Sequence, residues 1–384
     1  MTKWFRQNLL LLTGAGALLL LATAYVSVVS LLIVMYRQVD WQQAILHRFG
    51  ELLIIVWLLW FGGAIGSFLN VVVFRLPAGR SLQGFSACPY CQTRIAGRHN
   101  IPVFGWLILR GRCAACKLPI ASRYPIVELG VGVSLAVYAY LTLAIDGGNL
   151  PFVASKRGFE LWQVPLRVTH ESIALVCYHS LALASSWAIG LILFGGSPLP
   201  RGLTIFVLLM IPLPMLIWPL FQVVPWGATL PEGWYPTDRL DAFMRILTGA
   251  MAAMIVARGL GQTLLRDADI KLNPLGKATQ QLLDLAVALA IPGVIVGWQS
   301  LPAVVLMSSL LAIVTERWFV GRSGVSRIAL FLPVSLFLQL TFWSLTDSSV
   351  YFPGTAMRPE GLIAAYLAIL VIVLWLKPRA TENA

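Results

Sequence analysis

The sequence is poor in charge, and in acidic charge above all. Only 11% of its 384 residues are charged, and 16 acidic residues stand against 28 Lys and Arg. With 58% hydrophobic residues, this composition excludes an ordinary soluble domain and indicates a polytopic membrane protein. In such a protein an excess of Lys and Arg first reports loops that face anionic lipid, so the net charge of +12 does not indicate nucleic-acid binding.

Acidic residues are missing altogether from two long stretches. Between Arg75 and Arg123, both included, there are eight Lys or Arg and no Asp or Glu, so the positive-inside rule places this stretch in the cytoplasm. No Asp or Glu lies between Glu171 and Glu232 either, which excludes a carboxylate-based site there. Internal repeats and low-complexity segments are also absent.

The apolar runs predict an all-α polytopic membrane protein of about ten transmembrane helices, with a small cytoplasmic zinc-binding insertion. The first helix has no clear cleavage site after it and is expected to stay uncleaved. The basic loops place both termini in the cytoplasm. Helices seven and eight are short and joined by a tight GWQSLP turn, so either could be re-entrant. The expected helices lie at about 9–35, 52–74, 126–145, 173–194, 203–224, 246–265, 282–296, 303–314, up to 343, and 362–376.

Cysteine is scarce too, and four of the five cysteines fall in one polar island. They form two CxxC pairs with 21 residues between them, a spacing typical of a tetrahedral zinc site. The alternatives are two disulfides or four unrelated core cysteines, and a cytoplasmic, reducing location favours zinc. Four thiolates leave no open position for water, so the zinc would be structural. The expected ligands are Cys88, Cys91, Cys113 and Cys116.

The second helix closes with GSFLNVVVFRLP, residues 66–77. Gly62, Gly63 and Gly66 could permit close helix approach of the small-residue kind found in membranes. The remaining cysteine, Cys177, lies alone in an apolar helix and is expected to be core packing rather than a nucleophile.

GSFLNVVVFRLP, the paired CxxC motifs and GRCAACKLPIASRYPIVEL together give the chain a resemblance to the type IV prepilin peptidase family. The resemblance implies an inner-membrane aspartic endopeptidase of type IV pilus and type II secretion systems. Such an enzyme cuts the basic leader from prepilins or pseudopilins at the cytoplasmic face and methylates the new N-terminus with S-adenosylmethionine. It also implies three regions: N-terminal transmembrane helices (1–74), a cytoplasmic four-cysteine zinc domain (75–124) and a peptidase-like helix bundle (125–384).

The family's first catalytic aspartate has no counterpart in this chain. The matching stretch is LILFGGSPLPRGLT, residues 191–204, and its acidic positions fall on Leu193, Gly195 and Arg201. None of these residues can transfer a proton in hydrolysis. The hydrolysis implied by the resemblance needs two carboxyl groups, one as general base and one as general acid.

Two placements compete for the second aspartate. Asp269, in DADIKL, resembles the family's GxGDVKL run, although both glycines are missing. Asp284 has the better helix context, since counting back from Gly297 lands within one residue of it. An ionisable group at the mouth of a membrane helix is usually functional, yet an aspartate there also stabilises the helix dipole.

Three hypotheses about function follow. The chain is a prepilin peptidase whose catalytic pair has moved, or a catalytically inactive relative that acts as a membrane binding or assembly factor. The third, a transporter or channel, follows from the helix count alone. The first two imply prepilin-like or pseudopilin-like protein partners in addition to membrane lipid.

Overall fold

The apolar runs of the sequence fold into helices, which satisfy their backbone hydrogen bonds internally and therefore suit a membrane. A computed structural model of the chain describes residues 3–37, 40–151, 169–227, 234–265, 273 and 276–376, and in these ranges it contains no β-strand. The α-helices are α1 (Lys3–Arg37), α2 (Trp41–Arg75), α3 (Phe104–Ile108), α4 (Arg123–Ala144), α5 (His170–Phe194), α6 (Arg201–Met210), α7 (Pro212–Ile217), α8 (Arg239–Leu264), α9 (Lys277–Val314), α10 (Gly324–Thr341), α11 (Trp343–Asp347) and α12 (Pro359–Val373).

Seven of the described helices are long and apolar enough to cross a membrane: α2, α4, α5, α8, α9, α10 and the segment 359–376 that contains α12. The all-α membrane fold is therefore confirmed. The count of about ten is not, because the apolar part of α1 (Leu19–Met35) and the segment Arg201–Ile217 are shorter. The second of these is broken at Pro212, which begins α7, and Pro219 begins a 3-10 turn.

The long helix α9 folds back on itself at Gly297. This glycine has φ 76° and ψ 171°, a conformation that is essentially restricted to glycine. Near the start of α9, Leu282 lies against Gly261 at the end of α8. Near its other end, the Ala312 carbonyl accepts a hydrogen bond from Arg327 of α10.

The two ends of α9 therefore lie at the same end of the bundle, because Gly324, where α10 begins, lies against Leu264 of α8. A straight helix of 38 residues would be about 57 Å long and could not place them there. The tight turn predicted at GWQSLP is confirmed, and it begins at Gly297.

Helices α2 and α4 approach each other backbone to backbone through glycines. A Cβ on Gly62 would lie 2.9 Å from the Gly132 carbonyl oxygen, and one on Gly66 would lie 2.8 Å from the Glu128 Cα. The close approach predicted from Gly62, Gly63 and Gly66 is confirmed. This contact fixes the two helices between which the four-cysteine island is inserted.

Candidate functional site

The two CxxC pairs form turns of the same design. In each turn the second cysteine is followed by a residue with positive φ, 58° at Gln92 and 61° at Lys117. The backbone N–H of that residue donates to the first cysteine's carbonyl, and the first cysteine's N–H donates to a carbonyl beyond the turn. An isolated antiparallel bridge flanks each turn, Ala87 with Arg94 and Arg112 with Pro119.

The turns bring the four predicted ligands together. All four Sγ atoms lie within 4.8 Å of one another; Cys88 and Cys116 are 3.8 Å apart, and Cys91 and Cys113 are 3.9 Å apart. Tetrahedral thiolate coordination with metal–sulfur bonds of about 2.3 Å separates the sulfurs by about 3.8 Å. Disulfides would need sulfurs about 2.05 Å apart, and all five cysteines are free. The cluster therefore fits a structural metal, and the two alternatives are wrong.

Two of the thiols are biased toward the thiolate that a metal requires. Hydrogen bonds from the side chain and backbone of Thr93 lower the pKa of Cys91 to about 6. Backbone hydrogen bonds from Cys116 and Ala115 also lower the pKa of Cys113. Cys116 differs: a backbone hydrogen bond from Leu118 lowers its pKa, but burial and the three neighbouring sulfurs raise it to about 11. The turns therefore favour the thiolate at Cys91 and Cys113 but not at Cys116.

The island is tied to the membrane helices by polar contacts. The Arg75 guanidinium at the end of α2 donates to four carbonyls of the following loop, those of Ser81, Leu82, Gln83 and Phe85. Sequence reasoning missed this role, although a basic residue in the last turn of a helix is a known signal for carbonyl capping.

Two further contacts involve the spanning helices: one joins α2 to the first turn of α4, and the other joins α4 to the island. The Asn70 amide of α2 donates to the Tyr124 carbonyl at 3.2 Å. The Glu128 carboxylate of α4 accepts from the Val103 N–H at 2.7 Å. Neither residue was singled out by the sequence pattern, because the contacts depend on how α2 and α4 pack.

Asp284 lies in the second turn of α9 and is 4% exposed. Its Oδ2 accepts from the Leu199 backbone N–H at 3.2 Å, and its Oδ1 accepts from the Gln280 side chain at 2.8 Å. Leu199 belongs to the turn that resembles the family's first aspartate motif. The structure therefore brings this predicted residue against that motif, across 85 positions of sequence.

The turn itself offers Asp284 no second carboxyl group. Leu193 is buried and apolar, Gly195 ends α5, and Arg201 is exposed at the start of α6. Among the described residues, Asp284 accepts hydrogen bonds from the Gln280 side-chain amide and the Leu199 backbone N–H. These bonds hold the turn in position, but neither donor can serve with Asp284 as an acid–base pair. Asp269, the other predicted candidate, lies outside the described residues.

A buried cation beside the fold-back turn in the middle of α9 was also missed. Arg245 of α8 is fully buried, and its guanidinium donates to the Ile295 carbonyl at 3.0 Å and to the Gln299 side chain at 3.3 Å. These bonds flank Gly297, where the backbone leaves the helical path. Arg245 therefore holds the fold-back turn. From the sequence, Arg245 is recognisable only as a charged residue in an apolar helix, and this does not indicate its partners.

The prediction for Cys177 was wrong. This residue was expected to pack in the core, but it is exposed on the surface of α5. Its neighbour His179 is the buried residue, and the His179 ring lies 2.5 Å from the Tyr138 hydroxyl. Helix rotation decides which of two nearby residues faces inward. Because α5 is apolar on most sides, its sequence does not indicate which side packs against the bundle.

Comparison with known proteins connects this geometry to a family. Residues 60–142 match the family model described as the bacterial peptidase A24 N-terminal domain. That range includes the end of α2, both CxxC turns and most of α4. No solved structure matches the chain.

Several curated relatives are named prepilin leader peptidase/N-methyltransferase. The one from Myxococcus xanthus is 47% identical over 78 residues, 20% of this chain and 23% of the relative. The relative from Klebsiella pneumoniae is 44% identical over 87 residues, which are 21% of this chain and 38% of the relative. The relative from Dickeya chrysanthemi is 38% identical over 127 residues, which are 25% of this chain and 45% of the relative. The chain thus matches less than half the length of these relatives. The region of the four-cysteine island is therefore similar to the corresponding region of the type IV prepilin peptidase family.

Proposed function

We propose that this chain is a prepilin-peptidase-like protein of the inner membrane, with the four-cysteine island and both termini in the cytoplasm. The family match supports the first part. The stretch from Arg75 to Arg123, with eight basic and no acidic residues, supports the orientation. The proposed regions remain 1–74, 75–124 and 125–384.

The metal proposed for the island is zinc in a structural role. Four thiolates at tetrahedral spacing suit zinc, and they leave no position for a reacting water. Bound zinc would supply folding free energy to an island that has little core of its own. S-adenosylmethionine is proposed only because the relatives' names include N-methyltransferase, and no residues of this chain are assigned to it.

The chain is further proposed to bind prepilin-like or pseudopilin-like proteins as a catalytically inactive relative, a membrane binding or assembly factor. One observation carries this proposal. Asp284 contacts the turn where the family resemblance expects the first aspartate, and that turn has Leu193, Gly195 and Arg201 at the acidic positions. Aspartic hydrolysis needs a second carboxyl group at this place.

A second candidate is an active leader peptidase that uses Asp284 together with Asp269. It is favoured by the place of Asp284, a buried carboxyl group against the motif turn. Asp269 precedes Asp284 by only 15 positions in the sequence.

A cleavage assay separates the two candidates. The purified chain is incubated in lipid vesicles with a prepilin that carries a basic leader, beside the Klebsiella pneumoniae relative as positive control. We expect the prepilin mass to stay unchanged with this chain. Loss of a leader-sized mass that both Asp269→Asn and Asp284→Asn abolish would instead establish the second candidate.

A further inference from the structure

The segment between the two CxxC turns is apolar, although it lies in a basic island. Residues 101–109 read IPVFGWLIL, with Arg98 before them and Arg110 and Arg112 after them. Nine uncharged residues are too few to span a bilayer, which takes about 20. Apolar runs that are too short to span belong to buried helices or to re-entrant and interfacial segments.

The structure packs this segment against two spanning helices. A Cβ on Gly63 of α2 would lie 3.2 Å from the Pro102 Cβ, and the next residue, Val103, donates its N–H to Glu128 of α4. Gly63 lies 12 residues before Arg75, the end of α2, which is about 18 Å along the helix. The segment therefore runs beside the apolar part of α2 rather than beyond its end.

One face of the segment is turned outward and is apolar. Phe104, Leu107 and Ile108, at helical spacing i, i+3 and i+4 on α3, are 54%, 39% and 48% exposed. The opposite face is used internally, since Gly105 is buried and the Trp106 indole donates to the Ile120 carbonyl at 3.0 Å. The outward side chains are held in place by this anchoring.

We propose that the segment from Ile101 to Ile108 is a membrane wedge, with the outward side chains of α3 buried among lipid acyl chains. Arg98 and Arg112, both exposed, then lie at the level of anionic headgroups, where their long apolar stems can follow the acyl region. The lipid-facing surface continues on α4 through Ile126 and Leu129, which are 65% and 55% exposed.

This placement gives the metal cluster a fixed depth. Cys113, the first ligand of the second turn, follows Ile108 by only five residues. The hydrogen bond from the Trp106 indole to the Ile120 carbonyl also joins the wedge to the segment that follows the second CxxC turn. The cluster is therefore held directly at the membrane surface instead of on a free cytoplasmic domain, and this does not depend on what the protein binds or cuts.

Site-directed spin labelling tests the proposal. Because the chain's own cysteines include the metal ligands, the nitroxide is attached to p-acetylphenylalanine introduced at Leu107, and in a second variant at Ile108. The matched control is Tyr90, which is 65% exposed on the first CxxC turn. The full-length protein is reconstituted in vesicles of phosphatidylethanolamine and phosphatidylglycerol. Collision rates are measured with oxygen, which concentrates in the acyl region, and with a water-soluble nickel chelate.

The wedge predicts that labels at 107 and 108 collide several-fold more with oxygen than with the nickel chelate, and that the label at 90 shows the reverse. Nickel access at 107 or 108 equal to that at 90 would overturn the proposal and place α3 in water. Low access to both reagents would overturn it as well, because a protein surface and not lipid would then cover α3.

Discussion

At the scale of single residues, the four sulfurs are interdependent because each supplies one corner of the same cluster. Cys88 and Cys113 are buried and belong to different turns, so removing either one opens the coordination from a different side. An incomplete thiolate set binds zinc far more weakly, and the island then loses the free energy that coordination contributes to its folding.

We expect Cys88→Ser and Cys113→Ser to lower bound zinc from about one ion per chain to a small fraction of that. Metal analysis of the purified protein measures this, and limited proteolysis of residues 76–122 reports the accompanying unfolding. Cys177→Ser is the control, since Cys177 is exposed on α5 and lies outside the cluster. Full zinc content in both ligand variants would show that these sulfurs do not hold the metal.

Asp284 is expected to matter for stability. Asp284→Ala removes the acceptor of the Leu199 N–H and of the Gln280 amide in a buried place, which should cost about 1–3 kcal/mol of unfolding free energy. Thermal or denaturant unfolding in detergent measures the loss. Asp40→Ala is the control, because Asp40 also accepts two backbone N–H bonds, at the start of α2, but is exposed; about 1 kcal/mol is expected there. Equal losses of unfolding free energy in the two variants would contradict the prediction that the buried hydrogen bonds of Asp284 stabilise the fold more than the exposed helix cap at Asp40.

At the scale of elements, the contact of α2 with α4 depends on the absence of side chains. A methyl group at Gly66 would lie 2.8 Å from the Glu128 Cα and 3.1 Å from the Val131 Cβ, and the Cα cannot move without shifting the helix. The same contact orients Glu128 toward Val103 and so helps to place the island.

Gly66→Ala is therefore expected to destabilise the protein by about 1–3 kcal/mol, because it forces the two helices apart. Gly50→Ala on the same helix has no atom within 4 Å of the added methyl and should be neutral or slightly stabilising, since alanine favours the helix. Unfolding of the two variants side by side gives the comparison. A Gly66→Ala protein as stable as the Gly50→Ala protein would contradict the close packing.

The elements were largely predictable from the sequence, for a physical reason. A membrane helix must be apolar over a long run. Each predicted helix therefore overlaps described helical residues. The number of crossings was harder. The sequence predicted the turn that begins at Gly297, but hydropathy does not reveal whether each half of Lys277–Val314 crosses the bilayer, nor whether the proline-broken segment Arg201–Ile217 does.

The candidate site was predictable only where its members are close in sequence. Two cysteines three positions apart in each turn define a ligand pair by spacing alone, and the structure brings the pairs together. The contact between Asp284 and Leu199 joins residues 85 positions apart, and no periodicity encodes it. The same holds for Arg245 beside the Gly297 turn, which depends on the packing of α8 against α9.

At the scale of the whole molecule, the chain combines an island similar to the peptidase A24 N-terminal domain with a helix bundle in which the turn at residues 195–200 carries no Asp or Glu. The matched region, residues 60–142, covers the end of α2, most of α4 and the two CxxC turns between them. Asp284 accepts a hydrogen bond from the Leu199 N–H of the turn at residues 195–200. The proposed function therefore separates two properties of a leader peptidase: binding of a leader-bearing protein and hydrolysis of its leader.

Binding of a prepilin to the intact chain in vesicles tests this separation most directly. Two prepilin forms are compared, one with its basic leader and one without, and the mass of the recovered prepilin is determined after binding. The account predicts at least about tenfold tighter binding of the leader-bearing form, a difference of about 1.4 kcal/mol, with its full mass retained. Equal binding of the two forms, or recovery of a prepilin shortened by its leader, would contradict it.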